Sequence, residues 1–326
     1  MSRQQVAGKK HSERIIRSTG EKIAHVIVFI IFTIYAISLV FPFVFLLMNS
    51  LMVDGYDVLI KPIELIKEEF SIFTYVEALT TPINGSDFLS DITKTWFGFR
   101  LLPFVTTGAG RQSTTNIIGM FLNTITLASA QTFTSIALTC MAAYVLAKYR
   151  FKGNTFLYTV IIVSSVIPTF GSEAATYQLM ATLGLNNKLV GMLLLCGGFG
   201  GTFLYLHSFF KEIPWSFAES AMIDGASDFR IFLQIMVPLA KNGILVFTIM
   251  IFMGNWNEYW RSYLYYGGRP TLAVGLTAAE ASIIAKGLPE GVYFAMMTIC
   301  VVPILVFYAF FANKLMDNLN AGGIKG

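Results

Sequence analysis

Apolar residues in this chain gather into runs too long and too evenly hydrophobic to be the buried faces of a soluble fold. Six windows stand out: Ile23–Leu47, Phe121–Leu146, Thr155–Phe170, Leu189–Phe210, Ile244–Tyr265 and Val292–Leu315. Crossing a hydrocarbon core of roughly 30 Å takes about 20 helical residues. The pattern therefore predicts an all-α integral membrane protein with six transmembrane helices. The third window is the shortest and ends near Pro168. Between them the polar stretches set the organisation: a segment 1–22, a first helix 23–51, a long loop 52–115, and a five-helix core 116–326.

One interruption is unlike the others. Between the fourth and fifth windows lies IPWSFAESAMIDGASDFRIFLQIMVPLAK, which reads as helix, sharp turn, helix. Ser216 and Glu219 have the spacing of a capping box, in which each side chain satisfies a free backbone N–H of the other. Pro214 suits a helix entry and Gly225 a turn that needs positive φ. Ser227 or Asp228 can cap the second helix, whose Phe229, Phe232, Ile235 and Met236 recur at helical spacing. Such an element, held at the membrane face, is suited to being gripped by another protein.

Composition agrees with the windows. Hydrophobic residues make up 55% and charged residues 13%, against about 25% charged in a soluble domain. The basic residues set the orientation. With the first segment inside, Lys and Arg number 6 in residues 1–22, 3 in 147–154, 3 in 211–243 and 2 after 312. The other side holds 9, of which 5 fall in the long 52–115 loop, where the positive-inside rule has least force. Both termini and the helix–turn–helix are thus expected in the cytoplasm. Anionic lipid near the inner ends accounts for the net charge of +4, so no nucleic-acid partner is implied. The first apolar run, about 25 residues, exceeds the 7–15 of a secretory leader core and is expected to stay as a span.

Cys140, Cys196 and Cys300 lie inside apolar windows without metal-ligand spacing and read as small packing residues. His11, His25 and His207 are dispersed. The 52–115 loop carries 8 acidic and 5 basic residues, with capping-box spacing at Thr74 and Glu77. Residues 264–291 read as a shorter outer loop with a turn at Gly267–Pro270. Both loops suit docking of a partner or simple cover over helix ends. The Gly197–Gly201 cluster suits close helix packing and bending. No phosphate-binding glycine loop, zinc-peptidase motif or nucleophile elbow occurs, and the windows hold few ionisable groups.

The helix–turn–helix carries a resemblance. Glu219, Ala221, Gly225, Ile235 and Pro238 match the E-A-A, three residues, G, nine residues, I-x-L-P pattern of ABC-importer permeases, with Ser220 and Val237 as departures. The longer E-A-A-x-x-D-G-A form of the carbohydrate branch appears here as Glu219 through Asp224, Gly225 and Ala226. Phe121–Thr124, Ala143–Gly153, Asn257–Tyr259 and Ala321–Gly326 extend the likeness over most of residues 115–326. Together these resemble the smaller permease of the maltose-type sugar importers, while residues 52–115 resemble it only loosely.

That resemblance implies a type I ABC importer permease fold with a cytoplasmic coupling helix between spans 4 and 5. It implies that Glu219, Ser220, Ala221, Asp224, Gly225, Ala226, Ile235 and Pro238 engage a separate ATPase, and that Gly322, Gly323 and Lys325 reach the same subunit. This chain would bind no cofactor, ATP and magnesium residing on the ATPase dimer. Partners would be a second homologous permease, that dimer and an extracytoplasmic solute-binding protein delivering an oligosaccharide. Asn255, Asn257, Glu258 and Tyr259 are candidates for the translocation pathway, because polar groups at such depth are costly and aromatic faces suit sugar rings. Asn123 is a further candidate, though an asparagine in a span also serves as an interhelical tie. Glu258 can instead pair with Arg261 one turn on. A permease for a non-sugar solute and a secondary transporter remain as alternatives.

Overall fold

The longest packed element is a helix from Ile117 to Lys148, about 48 Å at 1.5 Å per residue. Asn116, in extended backbone, begins it by accepting the Gly119 amide on its side chain at 2.9 Å. Three buried clusters are strung along it. Ile117 and Met120 belong to the first, Leu127 to the second, and Cys140 through Leu146 to the third. This helix is the mast on which the rest is hung.

The computed structural model describes residues 19–52, 71–84, 114–167, 171–196 and 200–323. The elements run α1 (Thr19–Ser50), α2 (Phe73–Thr80), β1 (Ile83–Asn84), β2 (Thr114–Thr115), α3 (Ile117–Lys148) and α4 (Asn154–Val166), followed by α5 (Glu173–Thr182), α6 (Leu189–Leu194), α7 (Gly200–Glu212) and α8 (Ser216–Ile223). Next come α9 (Asp228–Leu239), α10 (Lys241–Trp256), α11 (Trp260–Tyr266), α12 (Leu272–Lys286) and α13 (Glu290–Gly323). The chain divides into two units, Met1–Met48 and Asn49–Gly326. In the first unit, α1 is apolar all round, as a helix in contact with hydrocarbon should be.

Within the second unit, α3 packs against α7 and α10. Gly243 of α10 lies so close to Phe209 of α7 that an added Cβ would come within 2.7 Å of the ring. The antiparallel pairing of Ile83 with Thr115 closes the ends of the loop between β1 and β2, and Lys286 donates to the Pro82 carbonyl to hold that ribbon against the end of α12. Thr74 of α2 donates to the Ser50 carbonyl at 2.6 Å, so the expected Thr74–Glu77 capping box does not form. The N-cap residue of α2 is Ile72, which offers no side-chain bond, and the Ser71 hydroxyl accepts the Phe73 amide at 3.1 Å instead.

Among the described residues, three helices are long and apolar enough to cross a membrane: Ile23–Ser50, Ile117–Lys148 and Glu290–Ala312. A fourth is reached if α9 and α10, bent by 81°, count as one. The remaining windows of the sequence are interrupted. The third becomes α4, about 20 Å long and too short to cross alone. The fourth is split between α6 and α7, with residues 197–199 outside the described set. The fifth breaks at Asn257–Tyr259. A further difference lies at 264–291, read from sequence as a loop. Most of it is α12, which buries Leu272, Val274, Ala279 and Ile283.

Candidate functional site

The helix–turn–helix is built as α8, a tight turn and α9. α8 ends in a Schellman arrangement: the Gly225 amide donates to the Met222 carbonyl at 3.0 Å and the Ala226 amide to the Ala221 carbonyl at 2.9 Å. That closure needs left-handed backbone at Gly225, whose φ is +81°. The predicted capping boxes are absent. Trp215 is the N-cap residue of α8 and makes no side-chain cap bond, and Ser220 donates back to the Ser216 carbonyl at 3.0 Å. Ser227 takes the extended backbone of an N-cap before α9 without a side-chain bond.

Inside α9, Phe232–Met236 form a π-helical turn closed by the Val237 amide on the Phe232 carbonyl. Pro238 follows directly and has no amide to give to an α-helical ladder, so the wider turn sits where that ladder would lose a bond. One residue beyond Leu239, at Ala240, the chain turns through 81° into α10.

Burial divides this element into a base and a tip. Ala218, Ile231 and Met236 are fully enclosed with Phe203, Leu206 and Phe210 of α7 and Ala143 and Tyr144 of α3. Glu219, Ser220, Asp224, Gly225 and Pro238 are exposed, whereas Ala221, Ala226 and Ile235 are half-buried. Ile223 at the tip is 87% exposed. The base is gripped at the C-terminal end of α3. Lys148 donates its ammonium to the Ile213 carbonyl, and Tyr149 meets Trp215 edge-on at 5.7 Å. Tyr149 also donates its hydroxyl to Asp228 Oδ1 at 3.0 Å. Burial, the hydrogen bonds to Tyr144 and Asp228, and the Asp228 charge all hold the Tyr149 phenol above its usual range, so it stays a donor. In the sequence Tyr149 stands only as part of Ala143–Gly153; its position next to the last turn of a span is the one signal there of this role.

The remaining candidates separate. Asn255, Asn257, Glu258 and Tyr259 lie at the break between α10 and α11, but the first three are internally occupied, Asn257 donating its side-chain amide to the Met253 carbonyl at 3.0 Å. Asn255 donates to Thr132 at 3.2 Å, tying α10 to α3, and Glu258 holds Arg261 through its side chain at 2.8 Å and its amide at 3.0 Å. Tyr259 stacks on Tyr263 with centroids 5.6 Å apart and rings 12° from parallel. Trp260 lies beside Tyr263 at 6.4 Å. Asn123 is elsewhere, donating to the Pro270 carbonyl at 3.2 Å. Gly322 and Gly323 close α13, and Lys325 lies outside the described residues.

A helical membrane chain with a bent, exposed element seated on the ends of its helices is the architecture of a transport permease. Residues 135–318 match the family described as binding-protein-dependent transport system inner membrane component, and the chain belongs to that family. It is 30% identical over 214 residues to the diacetylchitobiose uptake system permease protein of Streptomyces coelicolor, covering 64% of this chain and 70% of that protein. It is 26% identical over 219 residues to the trehalose transport system permease protein of Mycobacterium tuberculosis, covering 63% and 76% respectively. The fold is shared with a chain of a bacterial ABC transporter involved in import of the acidic polysaccharide alginate. There the TM-score is 0.69 at 18% identity, with 91% of this chain and 98% of that one aligned. The protein is accordingly an inner-membrane, multi-pass permease component of a binding-protein-dependent ABC importer, and is not itself the catalytic subunit.

Proposed function

We propose that this chain is one of two homologous permease subunits of an ATP-driven oligosaccharide importer, moved by a cytoplasmic ATPase through Glu219–Pro238. The observation that carries the reading is the division of that element. Ala218, Ile231 and Met236 are 0% exposed while Ile223 is 87% exposed, so a tip made for another surface stands on a base locked to the spans. Glu219 and Asp224 offer carboxylates beside an apolar knob of Met222 and Ile223, and Gly225 sets the angle between the arms. ATP and magnesium belong to the ATPase dimer, whose closure would rock the spans. Gly322, Gly323 and Lys325 are proposed to reach the same subunit.

The sugar assignment is supported by the diacetylchitobiose and trehalose permeases among its relatives and by the stack of half-buried Tyr259 on exposed Tyr263, with exposed Trp260 beside it. In this reading Asn255, Asn257, Glu258 and Tyr259 border the pathway. Asn123 has already spent its amide on Pro270. Six crossings are proposed, with α1, α3 and α13 as continuous spans and α4, the α6–α7 pair and the α10–α11 pair contributing to interrupted ones, and with both termini in the cytoplasm. A solute-binding protein delivers the sugar from outside, and coupling requires it to favour one transporter state over another.

The test is transport in vesicles carrying the complete complex. Glu219→Lys and Gly225→Pro should insert normally while substrate-stimulated ATP hydrolysis falls; full transport in both refutes the coupling role. Calorimetry on the cognate binding protein should give heat with di- or trisaccharides. Heat only with amino acids or phosphate would overturn the sugar assignment.

A further inference from the structure

We infer that the Tyr149 hydroxyl and the Asp228 carboxylate form a latch fixing the helix–turn–helix to the inner corner of α3, which makes Tyr149 a positioning residue for energy coupling. The inference rests on the coupling role proposed for Glu219–Pro238 and names the point where motion of that element enters the membrane core.

Two consecutive residues at the end of α3 grip both arms of the bent element. Lys148 holds the approach to α8 through the Ile213 carbonyl. Tyr149 touches that same approach through Trp215 and holds the first turn of α9 through Asp228 at 3.0 Å. The Gly225 turn lies between the two grips, so the arms cannot shift together unless the α3 corner follows or the latch opens.

The corner itself is stiff. Asn154 at the start of α4 donates its side-chain amide to the Leu146 carbonyl at 3.1 Å and to the Tyr149 carbonyl at 2.7 Å. Tyr144, one turn back, approaches the Tyr149 hydroxyl at 3.3 Å and packs on Phe210 and Phe232 at 5.7 and 5.1 Å. A pull on Asp228 therefore reaches α3 and α4 together.

Phe232 packs on Tyr144 and Ile231 is buried in the same cluster as Ala143, but toward the first turn of α9 the two helices part. A cleft of about 550 Å³ opens between them, walled by Met141, Val145, Phe151 and Phe229, and Tyr149 and Asp228 both face into it. Beside that cleft the hydrogen bond to a carboxylate is the directional contact that fixes the first turn of α9. Such bonds are stronger than neutral ones. The base of the element, at Ile231 and Met236, stays packed whether or not the latch is closed.

The experiment uses the complete transporter in proteoliposomes, reading sugar taken up per ATP hydrolysed. Tyr149→Phe keeps the ring against Trp215 and removes the donor. It should retain the ATPase on purification and lower the uptake-to-hydrolysis ratio by about tenfold, the lower end of the scale for one hydrogen bond to a charged group. Asp228→Ala should match it, whereas Asp228→Asn keeps an acceptor oxygen and should restore most of the ratio. Because Asp228 is exposed, these last two variants fold irrespective of any effect on the corner. Tyr149→Phe with Asp228→Ala should be no worse than either alone. An unchanged ratio in Tyr149→Phe, or additive losses in the double variant, overturns the latch. If Glu219→Lys is uncoupled in the same assay, the coupling role survives that outcome. If Glu219→Lys is also fully coupled, the role falls and the latch with it.

Discussion

The Thr124 hydroxyl accepts the Leu272 backbone amide at 2.8 Å while donating to the Met120 carbonyl at 2.8 Å. Leu272 opens α12, and the local N-cap residue, Thr271, makes no side-chain bond. A side chain from the mast, far away in sequence, thus does for α12 what its own cap does not.

Thr124→Val should therefore strand a buried amide and cost about 1–3 kcal/mol. Thr124→Ser keeps the hydroxyl and should cost far less. Thermal unfolding of the purified permease in detergent distinguishes them. Equal midpoints for the two variants would mean that the bond contributes nothing.

Glycines at two helix positions should behave oppositely. An added Cβ at Gly291 would run into the Met52 carbonyl, a backbone atom that cannot swing aside, whereas Gly254 has nothing within 4 Å of its would-be Cβ. Gly291→Ala should lose more than about 1–3 kcal/mol from overpacking. Gly254→Ala should be neutral or stabilising by up to about 1 kcal/mol through helix propensity. Yield of folded protein and its unfolding midpoint are the measurements.

Asn187 holds left-handed backbone at φ +59°, accepts the Gly268 amide on its side chain at 2.7 Å and donates its own amide to the Tyr265 carbonyl at 2.9 Å. Asn187→Gly removes the side-chain bond but relieves the backbone. Asn187→Ala loses the bond and keeps an unfavourable φ, which adds about 1–2 kcal/mol. The alanine variant should be the less stable of the two, and hydrogen exchange at Gly268 should quicken in both.

Tyr259 should matter through its ring. Tyr259→Phe preserves the stack on Tyr263 and should leave the transport KM near that of the unmodified chain. Tyr259→Ala should raise it by about fivefold if a sugar uses that face, from the scale of a lost aromatic contact. Uptake of labelled sugar across a concentration series reads this directly.

Some of this was legible in advance, for reasons that can be named. Gly225 could be read because a tight turn between two helical patterns needs positive φ, and few residues accept it. The Glu258–Arg261 pair followed from helical spacing alone. The capping boxes at Ser216 and Thr74 did not form, because each position was decided by a contact remote in sequence. Trp215 packs on Tyr149, and Thr74 bonds Ser50. α12 was misread because Gly275 and its alanines look like loop composition; Gly275 is in fact where the helix comes close against Met120. Window-averaged hydropathy also passes over breaks such as Asn257–Tyr259, which interrupt a helix without lowering the apolar content around them. The latch was out of reach, since nothing in the residue pattern pairs Tyr149 with Asp228.

An arm of about 18 Å meeting its upright at 81° is a crank. Sideways force at Ile223 becomes torque about the long axis of α10, and force along that axis becomes a bending moment at Ala240. Neither pushes the upright like a piston. A swing of about 10° carries the far end of such an arm roughly 3 Å, from the same rise per residue.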